Sequence, residues 1–543
     1  MTFDLLDEQW VPVVDRDGRP REVSLAEALL QAHTLRWVEG EAPVVTAAMY
    51  RLLLALAHRA FGPASNREWH ALWSADRFPE QAWQAYREKF NDRFDLFGPR
   101  PFLQCSALPA EKMGTPAQLV LNRAVGNNAT LFDHTTSDDV VELDPAVAAR
   151  WLVTVQAFDT GGLKTPYRTD KSSERGLCNY FGTVVVEGAT LKETLLLNMP
   201  VYCPGRGVPV PTRPNDCPQW ELDQPPGPEP DKEGRAPRGW TDLLTWPTRR
   251  ILLREADRGG RSVVDGVVIT PGTRLRTELA EAELMAAFRQ PRLVKSKKGM
   301  VPTGPKLPVQ LEEQRGVWRY CRELLLPAPP GNLRQRPKVL DHVADRAPEE
   351  QVYSLRVFGQ QLDQKGGAVH TWLQETVPAP VALLRVNDVD ERVEQLLGFA
   401  VGLADDVGSA LERAEKIYDE ALRREQGSAK RRSPMPQWYW PRLSVPFSEV
   451  LRELGTVLDA GLREGEVSEP ALFAPFERWR ETVRDAAKQA IHTWAWKLPR
   501  ESGRQVFALA EAEAAFQRRM TYLCRDYDID VNRCRDFDED TDD

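Results

Sequence analysis

The sequence is poor in the residues that build metal sites and disulfide frameworks. Its 543 residues include seven cysteines, an odd number, and no two of them form a C-x-x-C pair. The seven histidines are scattered and give neither H-x-x-x-H nor H-x-x-E-H. A disulfide framework, a zinc ribbon and a helical zinc site are therefore not expected, and the cysteines favour a reducing cytoplasm.

The chain also lacks long apolar runs and a surplus of positive charge. No apolar run approaches the roughly eighteen residues of a membrane span, and the opening MTFDLLDEQW has acids where a signal peptide needs cations. We therefore expect a cytosolic protein without membrane contact. The formal net charge of −9 argues against a protein whose whole surface binds nucleic acid. A local basic groove stays open, because salt screens distant charges.

Sequence signatures of catalysis are missing as well. The chain has no G-x-S-x-G nucleophile elbow and no G-x-x-x-x-G-K-[ST] phosphate loop. Its carboxylates show no spacing that singles out an acid–base pair. His58 lies in an apolar helical pattern, which predicts a core histidine whose ring nitrogens have hydrogen-bond partners. We expect no catalytic residue, no metal ion and no cofactor; the alternative is a hydrolase with an unrecognised site.

The N-terminal part shows both strand and helix patterns. WVPVV, the turn DRDG at 15–18 and REVSLAEALLQA predict a hairpin that runs into a helix capped by Ser24. Residues 45–62 predict a further helix. Residues 183–202 and the stretches RRILLRE and SVVDGVVITPGTRLR predict strands. Residues 214–239 are rich in proline, glycine and charge and are interpreted as a surface loop.

The pattern changes after about residue 385. Apolar residues recur at steps of three and four, which predicts a helix with one apolar stripe; they are Val393, Leu396, Leu397, Ala400, Leu403, Val407, Leu411, Ala414, Ile417 and Ala421. Three more helical stretches follow near 446–464, 470–497 and 503–525. Four helices with short connections predict an antiparallel four-helix bundle.

These patterns together predict the α+β class. We expect a mixed N-terminal domain of irregular sheets and helices over residues 1–380, because strands and helices do not alternate as in a doubly wound fold. The C-terminal antiparallel four-helix bundle is expected over 381–530. Residues 531–543 are acidic and are expected to be disordered.

The stretch FDTGGLKTPYRTDKSSER, residues 158–175, carries the first binding signal. Gly161 and Gly162 allow the backbone to approach a ligand closely, because no Cβ intervenes. Four cations follow at steps of four, three and four: Lys164, Arg168, Lys171 and Arg175. Backbone and cations together suit phosphate or the acceptor edges of a DNA minor groove. The alternative is a solvated loop of mixed charge, since acids are interleaved.

Two further stretches carry a binding signal. LDQKGGAVH, 362–370, has a polar tip with Gln364, Lys365 and Gly366 that suits a wedge into a duplex; the alternative is an ordinary hairpin turn. FRQPRLVKSKKGM, 288–300, has cations that would neutralise phosphates; the alternative is a basic surface loop. These cations are Arg289, Arg292, Lys295, Lys297 and Lys298.

Several segments, in this order, resemble the large subunit of the type I-E CRISPR surveillance complex Cascade, the CasA or Cse-one family. FDLLDEQWVPVVDRDGRPREVSLAEAL resembles the family's FNLLDEPWIPV-like opening and its SL-x-EAL helix. RPFLQ at 100–104 resembles its PF-x-Q segment, GNNATLFDHT at 126–135 its mobile loop, and FDTGG its glycine loop. GTVVVEGATLKETLLLNM resembles its strand that ends in LLLN. The resemblance covers nearly the whole chain.

The resemblance implies a non-catalytic subunit that scans duplex DNA for a protospacer-adjacent motif, mainly from the minor groove. Such subunits help to separate the strands and later dock the helicase–nuclease, while guide pairing reads the rest of the target. The implied partners are the CRISPR guide RNA complex with its backbone, small and 5′-end-binding subunits, the double-stranded target DNA and the helicase–nuclease.

The resemblance also implies roles for individual residues. Gly161 and Gly162 would contact the motif, and Arg274 or Arg276 would stand where some members have a lysine that contacts it. Phe132 would contact the guide and a neighbouring subunit. The wedge would comprise Gln364, Lys365 and Gly366. DNA-backbone contacts would come from both cationic stretches: Lys164, Arg168, Lys171, Arg175, Arg289, Arg292, Lys295, Lys297 and Lys298.

A different class of function fits the acidic balance and the helical C-terminal part: a cytosolic helical scaffold or adaptor without nucleic-acid contact. The arrangement of the cations discriminates between the two. One contiguous basic groove that joins 161–175, 289–298 and 365 favours DNA scanning. Cations that point in unrelated directions favour the adaptor.

Overall fold

The computed structural model describes most of the chain as a mixture of short strands and helices. The described residues are 2–121, 141–296, 299–313, 315–329, 331–348, 350–363, 366–385, 392–422 and 434–535. Strands and helices follow one another without a regular βαβ order. The predicted α+β class is thereby confirmed.

The strands form several small sheets. They are β1 (Val11–Asp15), β2 (Pro20–Val23), β3 (Leu35–Val38), β4 (Gly162–Tyr167), β5 (Asp170–Ser173), β6 (Thr183–Glu187), β7 (Asp231–Arg235), β8 (Arg249–Asp257), β9 (Ser262–Pro271), β10 (Thr273–Leu275), β11 (Phe288–Arg289), β12 (Arg292–Ser296), β13 (Gly299–Thr303), β14 (Leu307–Pro308), β15 (Val352–Leu362) and β16 (Val369–Pro380). The orders β2-β1-β3 and β16-β15-β6 give three-stranded sheets, and the other strands pair in twos. The irregular sheets agree with the prediction.

The helices are short in the N-terminal part and long in the C-terminal part. They are α1 (Leu25–Leu30), α2 (Pro43–Phe61), α3 (Asn66–Ser74), α4 (Glu80–Phe90), α5 (Pro145–Phe158), α6 (Leu191–Leu197), α7 (Trp240–Leu244), α8 (Leu279–Ala282), α9 (Cys321–Leu325), α10 (Lys338–Arg346), α11 (Val381–Leu384), α12 (Arg392–Ala421), α13 (Pro436–Tyr439), α14 (Ser444–Glu464), α15 (Glu469–Trp496) and α16 (Gly503–Arg535).

The chain divides into two compact units that are not continuous in sequence. The first comprises Met1–Leu311, Leu333–Val343 and Ser354–Thr376, and the second comprises Glu312–Asn332, Ala344–Tyr353 and Val377–Asp543. The predicted boundary at 380 misses the two earlier segments of the second unit. One of them contains Trp318, whose ring centroid lies 4.6 Å from that of Phe447. A partner so distant in sequence leaves no periodic pattern.

The N-terminal elements follow local rules and agree with the sequence. Ser24 Oγ accepts from the amide of Glu27, and Glu27 Oε2 accepts in return from the amide of Ser24, at 3.1 and 2.9 Å. This capping box fixes the start of α1. Among the described residues, α2 is the helix long and apolar enough to cross a membrane, but it is mostly buried inside the protein. It packs on α5 and α7 as the core helix of the first unit.

His58 on α2 is buried, as the apolar pattern predicts, but the hydrogen bonds expected for its ring are not found among the described residues. Its ring centroid lies 5.0 Å from that of Tyr202, and neither ring nitrogen has a hydrogen-bond partner among the described residues. Burial, with the nearby charges of His342 and Arg59, lowers the pKa of His58 to about 3. The imidazole is therefore a neutral packing group at ordinary pH.

Two predictions about the N-terminal part are wrong. Residues 183–202 are not one strand: β6 is followed by the helix α6, because Thr190 and Glu193 supply the capping signature T-x-x-E before helix-favouring leucines. The segment 214–239 is not only a surface loop, because it contains β7 and the buried Asp216. Both Asp216 oxygens accept backbone amides of α7, from Thr241 and Asp242, at 3.1 and 3.0 Å.

The second unit contains the four long helices at the predicted places. Helix α12 packs on α15 and α16, and α14 packs on α15. Their apolar stripes are buried, with Trp479 only 1% exposed. Helix α16 continues to Arg535, so 531–535 are helical and not part of the expected disordered tail. That these helices form an antiparallel bundle stays a prediction.

Candidate nucleic-acid interface

The two glycines of the first binding stretch stand at the base of an antiparallel hairpin, β4–β5. Gly162 has φ +107°, a left-handed conformation that favours glycine, and a Cβ there would meet nothing within 4 Å. A Cβ on Gly161 would lie 3.3 Å from the amide nitrogen of Arg175, on the chain that returns from the hairpin. One glycine is thus required by conformation, and the other by close approach of the returning chain.

The base of the hairpin is anchored by a buried carboxylate. Asp159 is 4% exposed and accepts from Lys164 Nζ at 2.9 Å and from Arg249 Nε. Burial alone would raise the pKa of this carboxyl, but the charges of Lys164 and Arg249 outweigh it and hold the pKa below its ordinary value. Arg249 Nη2 also donates to the carbonyls of Thr160 and Glu174, at 2.9 and 2.8 Å. Arg249 therefore ties both ends of the hairpin to β8.

The tip of the hairpin is held by the 229–232 segment, which leads into β7. Tyr167 Oη donates to Glu229 Oε1 at 3.1 Å, and Arg168 Nη2 lies 3.7 Å from the same oxygen. Lys232 forms an ion pair with Asp170 across the turn. Arg168 adopts φ +53°, so the turn itself is a tight two-residue connection. The 229–232 segment thus contacts both strands of the hairpin.

A groove of about 550 Å³ lies beside the returning strand of the hairpin and is called the hairpin groove here. Its cations outnumber its carboxylates. The cations are Lys171, Arg175, Lys232, Arg249 and Arg274, and the carboxylates are Asp170, Glu174 and Asp231. The groove therefore brings three predicted site residues, Lys171, Arg175 and Arg274, to one surface, together with Lys232, which the sequence analysis did not single out.

The groove cations differ in how firmly they are held: Arg249 is buried and paired with Asp159, whereas Lys171 and Arg274 are more exposed. Arg274 Nε lies 3.5 Å from Glu174 Oε1, and its side chain is 41% exposed. The guanidinium of Arg175 lies 4.0 Å from the ring centroid of Tyr180. Lys171 and Arg276 are exposed, the latter just beyond β10. Lys164 is different, because it is only 16% exposed and its charge is engaged by Asp159.

The second basic stretch forms another hairpin, β12–β13, instead of a loop. Arg292 and Lys295 are exposed on β12, and Arg289 belongs to β11. Lys297 and Lys298 lie outside the described residues. None of the described residues of this second hairpin lines the hairpin groove. The structure does not join the two basic stretches into one described cavity.

The third stretch is the tip between β15 and β16. Gly366 has φ +69°, and its amide donates to the carbonyl of Asp363 at 2.9 Å, so a backbone hydrogen bond joins these two residues. Gln364 and Lys365 lie outside the described residues, as does Phe132. Below the tip, Gln360 Nε2 donates to the carbonyl of Phe158 at 2.9 Å. Phe158 ends α5 three residues before Gly161, so this hydrogen bond links the β15–β16 ribbon to the base of the hairpin.

Asn179 completes this link. Its Nδ2 donates to the carbonyls of Phe158 and Asp159 at 2.9 and 3.0 Å, and its Oδ1 accepts from Gln360 at 2.8 Å. Trp372 of β16 donates to Gln360 Oε1 at 2.7 Å. The sequence analysis missed this network, because buried amides far apart in sequence carry no local pattern. Asp159 is one of the acids interleaved in the first binding stretch, and the sequence alone does not distinguish it from the others.

Comparison with known proteins gives consistent relatives along the whole chain. A family model described as CRISPR-associated protein Cse1 matches residues 4–490. The CRISPR-associated protein CasA/Cse1 of Thermus thermophilus is 31% identical, over 95% of this chain and 97% of that protein. The crystal structure of Cse1 from Acidimicrobium ferrooxidans is 28% identical, covers 97% of this chain and 99% of its own, and has a TM-score of 0.73.

A further similar structure is a chain of a CRISPR RNA-guided surveillance complex. It is 22% identical, covers 95% of this chain and 99% of its own, and has a TM-score of 0.71. At this identity the likeness concerns the fold alone.

Proposed function

The chain belongs to the Cse1 family of CRISPR-associated proteins, and on that premise we propose that it is the non-catalytic large subunit of a type I-E CRISPR-RNA-guided DNA surveillance complex. In this proposal the subunit recognises the protospacer-adjacent motif of double-stranded DNA from the minor groove. It helps to begin strand separation and offers a docking surface to the helicase–nuclease.

The observation that carries the proposal is the hairpin groove. A glycine pair begins the hairpin, and the returning strand lines a groove in which cations outnumber carboxylates. The whole chain has a net charge of −9, so these cations are a local exception. Loosely held cations such as Lys171 and Arg274 can exchange an internal contact for a DNA phosphate.

Backbone near the glycine pair would meet the floor of the minor groove. The minor groove presents a degenerate pattern, in which A·T and T·A show only acceptors. A subunit that reads it through glycine amides tolerates several related motifs. Arginines at the rim would add contacts that depend on groove width, and we assign this role to Arg274 or Arg276.

The β15–β16 tip would act as the wedge, through Gln364, Lys365 and Gly366. Support comes from the hydrogen bond between Gln360 and Phe158, which connects the ribbon below the tip to the chain below the glycine pair. Opening DNA costs on the order of 1.4 kcal/mol per base step. A single wedge can offset the first step or two, and guide pairing must supply the rest.

The remaining partners follow from the assembly proposed. The loop that carries Phe132 would contact the guide RNA and the subunit that binds its 5′ end. The small subunits and the helicase–nuclease would be further partners of the chain. Membership of the Cse1 family supports an assembly of this kind.

The glycine pair provides the direct test. We expect Gly161→Leu with Gly162→Leu, in a complex reconstituted with guide RNA, to reduce discrimination between motif-bearing and motif-free duplexes by about tenfold or more, because each lost base-pair contact costs roughly 1–3 kcal/mol. Binding is measured by titration of labelled duplexes at one fixed salt concentration.

The matched control uses the glycines of the β8–β9 turn. Gly259 and Gly260 also have positive φ, +68° and +87°, with open space around their Cβ positions. Their double leucine variant strains the backbone at two positive-φ positions, against one in the Gly161/Gly162 variant, and it should retain wild-type discrimination. If the Gly161/Gly162 variant discriminated as well as this control, the glycine pair would have no part in motif recognition.

A further inference from the structure

A second cavity, lined by prolines and arginines, includes residues of β8 and is called the proline-walled cavity. Its volume is about 310 Å³, at the lower end of small-molecule sites. Its pyrrolidine walls are Pro99, Pro101, Pro225, Pro226 and Pro247. Phe102 and Trp220 add two stacked rings with centroids 5.6 Å apart. Walls of this kind suit a planar aromatic ring system of a ligand.

Arg250 gives this cavity an unbalanced charge. It is 5% exposed and lines the cavity, and in the described part of the chain its hydrogen-bond partners are all neutral oxygens. They are the carbonyls of Gly227 and Pro247 and the hydroxyl of Thr273, at 2.8, 3.1 and 3.0 Å. Burial lowers the pKa of Arg250 to about 10, so the guanidinium still carries its charge at neutral pH.

Arg100 adds a second cation, which is only partly buried. It lines the cavity, and its Nη2 donates to the carbonyls of Leu222 and Asp223 at 2.7 and 2.9 Å. Asp223 is a carboxylate of the cavity lining, but Arg250 has only neutral hydrogen-bond partners among the described residues. Burial of such a cation costs free energy, which an incoming anion would offset. Two guanidiniums can bind one phosphate through several charge-assisted hydrogen bonds.

The cavity rim also stores backbone strain. Leu103 has φ +54°, a left-handed conformation that leucine rarely adopts. Strain of this kind persists where the surrounding structure fixes it, and it concentrates at binding sites. Leu103 follows Phe102 directly, so the strained residue sets the direction of one of the aromatic walls.

We propose that the proline-walled cavity binds one mononucleotide, with its base between the proline and aromatic walls and its phosphate on Arg250 and Arg100. The volume suits one nucleotide and not a longer strand. The nucleotide is either free or the 5′-terminal residue of a strand. Arg249 lines this cavity as well as the hairpin groove, so the bound phosphate lies near the residue that anchors the hairpin. The site does not depend on the proposed DNA scanning.

The test is calorimetric titration of the full chain, without other subunits, with 5′-AMP, adenosine and inorganic phosphate. We expect 5′-AMP to bind at least about tenfold more tightly than adenosine or phosphate, because only the nucleotide uses both walls and cations. A 5′-phosphorylated dinucleotide, titrated beside 5′-AMP, identifies the source: comparable affinity indicates a strand end, and failure to bind indicates a free nucleotide.

Variants locate the site. Arg250→Gln should weaken 5′-AMP binding at least about tenfold. The matched control is Arg254→Gln. Arg254 lies on the same strand but is 52% exposed, pairs with Asp265 and does not line the cavity.

A second variant tests the site even if Arg250→Gln fails to fold. Ser106 lines the cavity and is exposed, so Ser106→Trp should block the cavity without removing a buried group. Equal binding of adenosine and 5′-AMP, or wild-type binding by Ser106→Trp, would overturn the proposal.

Discussion

At the scale of single residues, Asp159 determines how the hairpin is attached. This buried carboxylate forms ion pairs with two cations, Lys164 and Arg249, and Arg249 is only 1% exposed. Its removal would leave Arg249 buried without an ionic partner, whereas Lys164 can turn to solvent. The sequence identified Gly161, Gly162 and the cations, because glycine and charge are local signals. It gave no weight to Asp159, because the importance of this residue depends on burial and on Arg249, ninety positions away.

Asp159→Asn should therefore destabilise the protein strongly. We expect a loss of about 3–5 kcal/mol in the free energy of unfolding, the usual result of breaking a buried ion pair. Chemical denaturation of the wild type and the variant measures it. Asp17→Asn is the control, since Asp17 and Arg19 form a pair that is more than 70% exposed on both sides. A loss as small as the control's would show that Asp159 does not anchor the hairpin.

His58 should make stability depend on pH on the acid side of neutrality. Its pKa is lowered to about 3 in the folded state, against about 6.5 in an unfolded chain. The unfolded state therefore binds more protons between these values, and the free energy of unfolding falls as pH falls from about 6.5 to about 3.

The imidazole can be replaced by a ring that does not titrate. His58→Phe should show a shallower loss of stability over this window in denaturation curves taken at several pH values. His492→Gln, an exposed substitution, should keep the wild-type slope. Parallel curves for the wild type and His58→Phe would contradict the buried neutral histidine.

At the scale of elements, the hairpin depends on a segment that the sequence did not connect to it. The 229–232 segment belongs to a stretch whose prolines and glycines suggested a surface loop. In the structure β7 pairs in parallel with β10, and Gly234 at φ +70° lets the chain approach Arg274 closely. Long-range pairing of this kind is invisible to local pattern. The capping box of α1, by contrast, was predictable because its two residues stand three apart.

Loss of the tip contacts should loosen the hairpin without unfolding the protein. We expect Glu229→Ala with Lys232→Ala to increase amide hydrogen exchange across 163–172 by about tenfold, since local opening is governed by local contacts. The overall free energy of unfolding should change little, because exposed ion pairs contribute about 0–1 kcal/mol. Glu233→Ala, an exposed neighbour, is the control. Unchanged exchange in the double variant would show that the 229–232 segment does not hold the tip of the hairpin.

At the scale of the whole molecule, the proposed function requires that local charge outweigh the net charge of −9. Each phosphate contact contributes about 0.9 to the slope of log affinity against log salt. Replacing Lys171, Arg175 and Arg274 by glutamine should therefore reduce the slope of the assembled complex by about three units. Titrations at several salt concentrations measure it.

The control for this prediction takes three exposed cations of the second unit, Lys416, Arg452 and Arg463. Their replacement by glutamine changes the net charge equally. If the hairpin groove binds DNA, the salt-dependence slope of this control variant should stay near the wild-type value. Equal slopes for both triple variants would show that total charge matters and the hairpin groove does not. That result would favour an adaptor that does not contact nucleic acid.

The interleaving of the two units along the chain has a consequence for synthesis. The chain passes from one unit to the other after Leu311, Asn332, Val343, Tyr353 and Thr376. The sheet that carries β6 cannot be completed until β15 has left the ribosome, more than 160 residues later. Trp318 leaves the ribosome long before Phe447, so its side chain lacks this packing partner during that part of synthesis. Neither unit is therefore an exchangeable module, and a fragment cut at residue 380 would expose aromatic surface and aggregate.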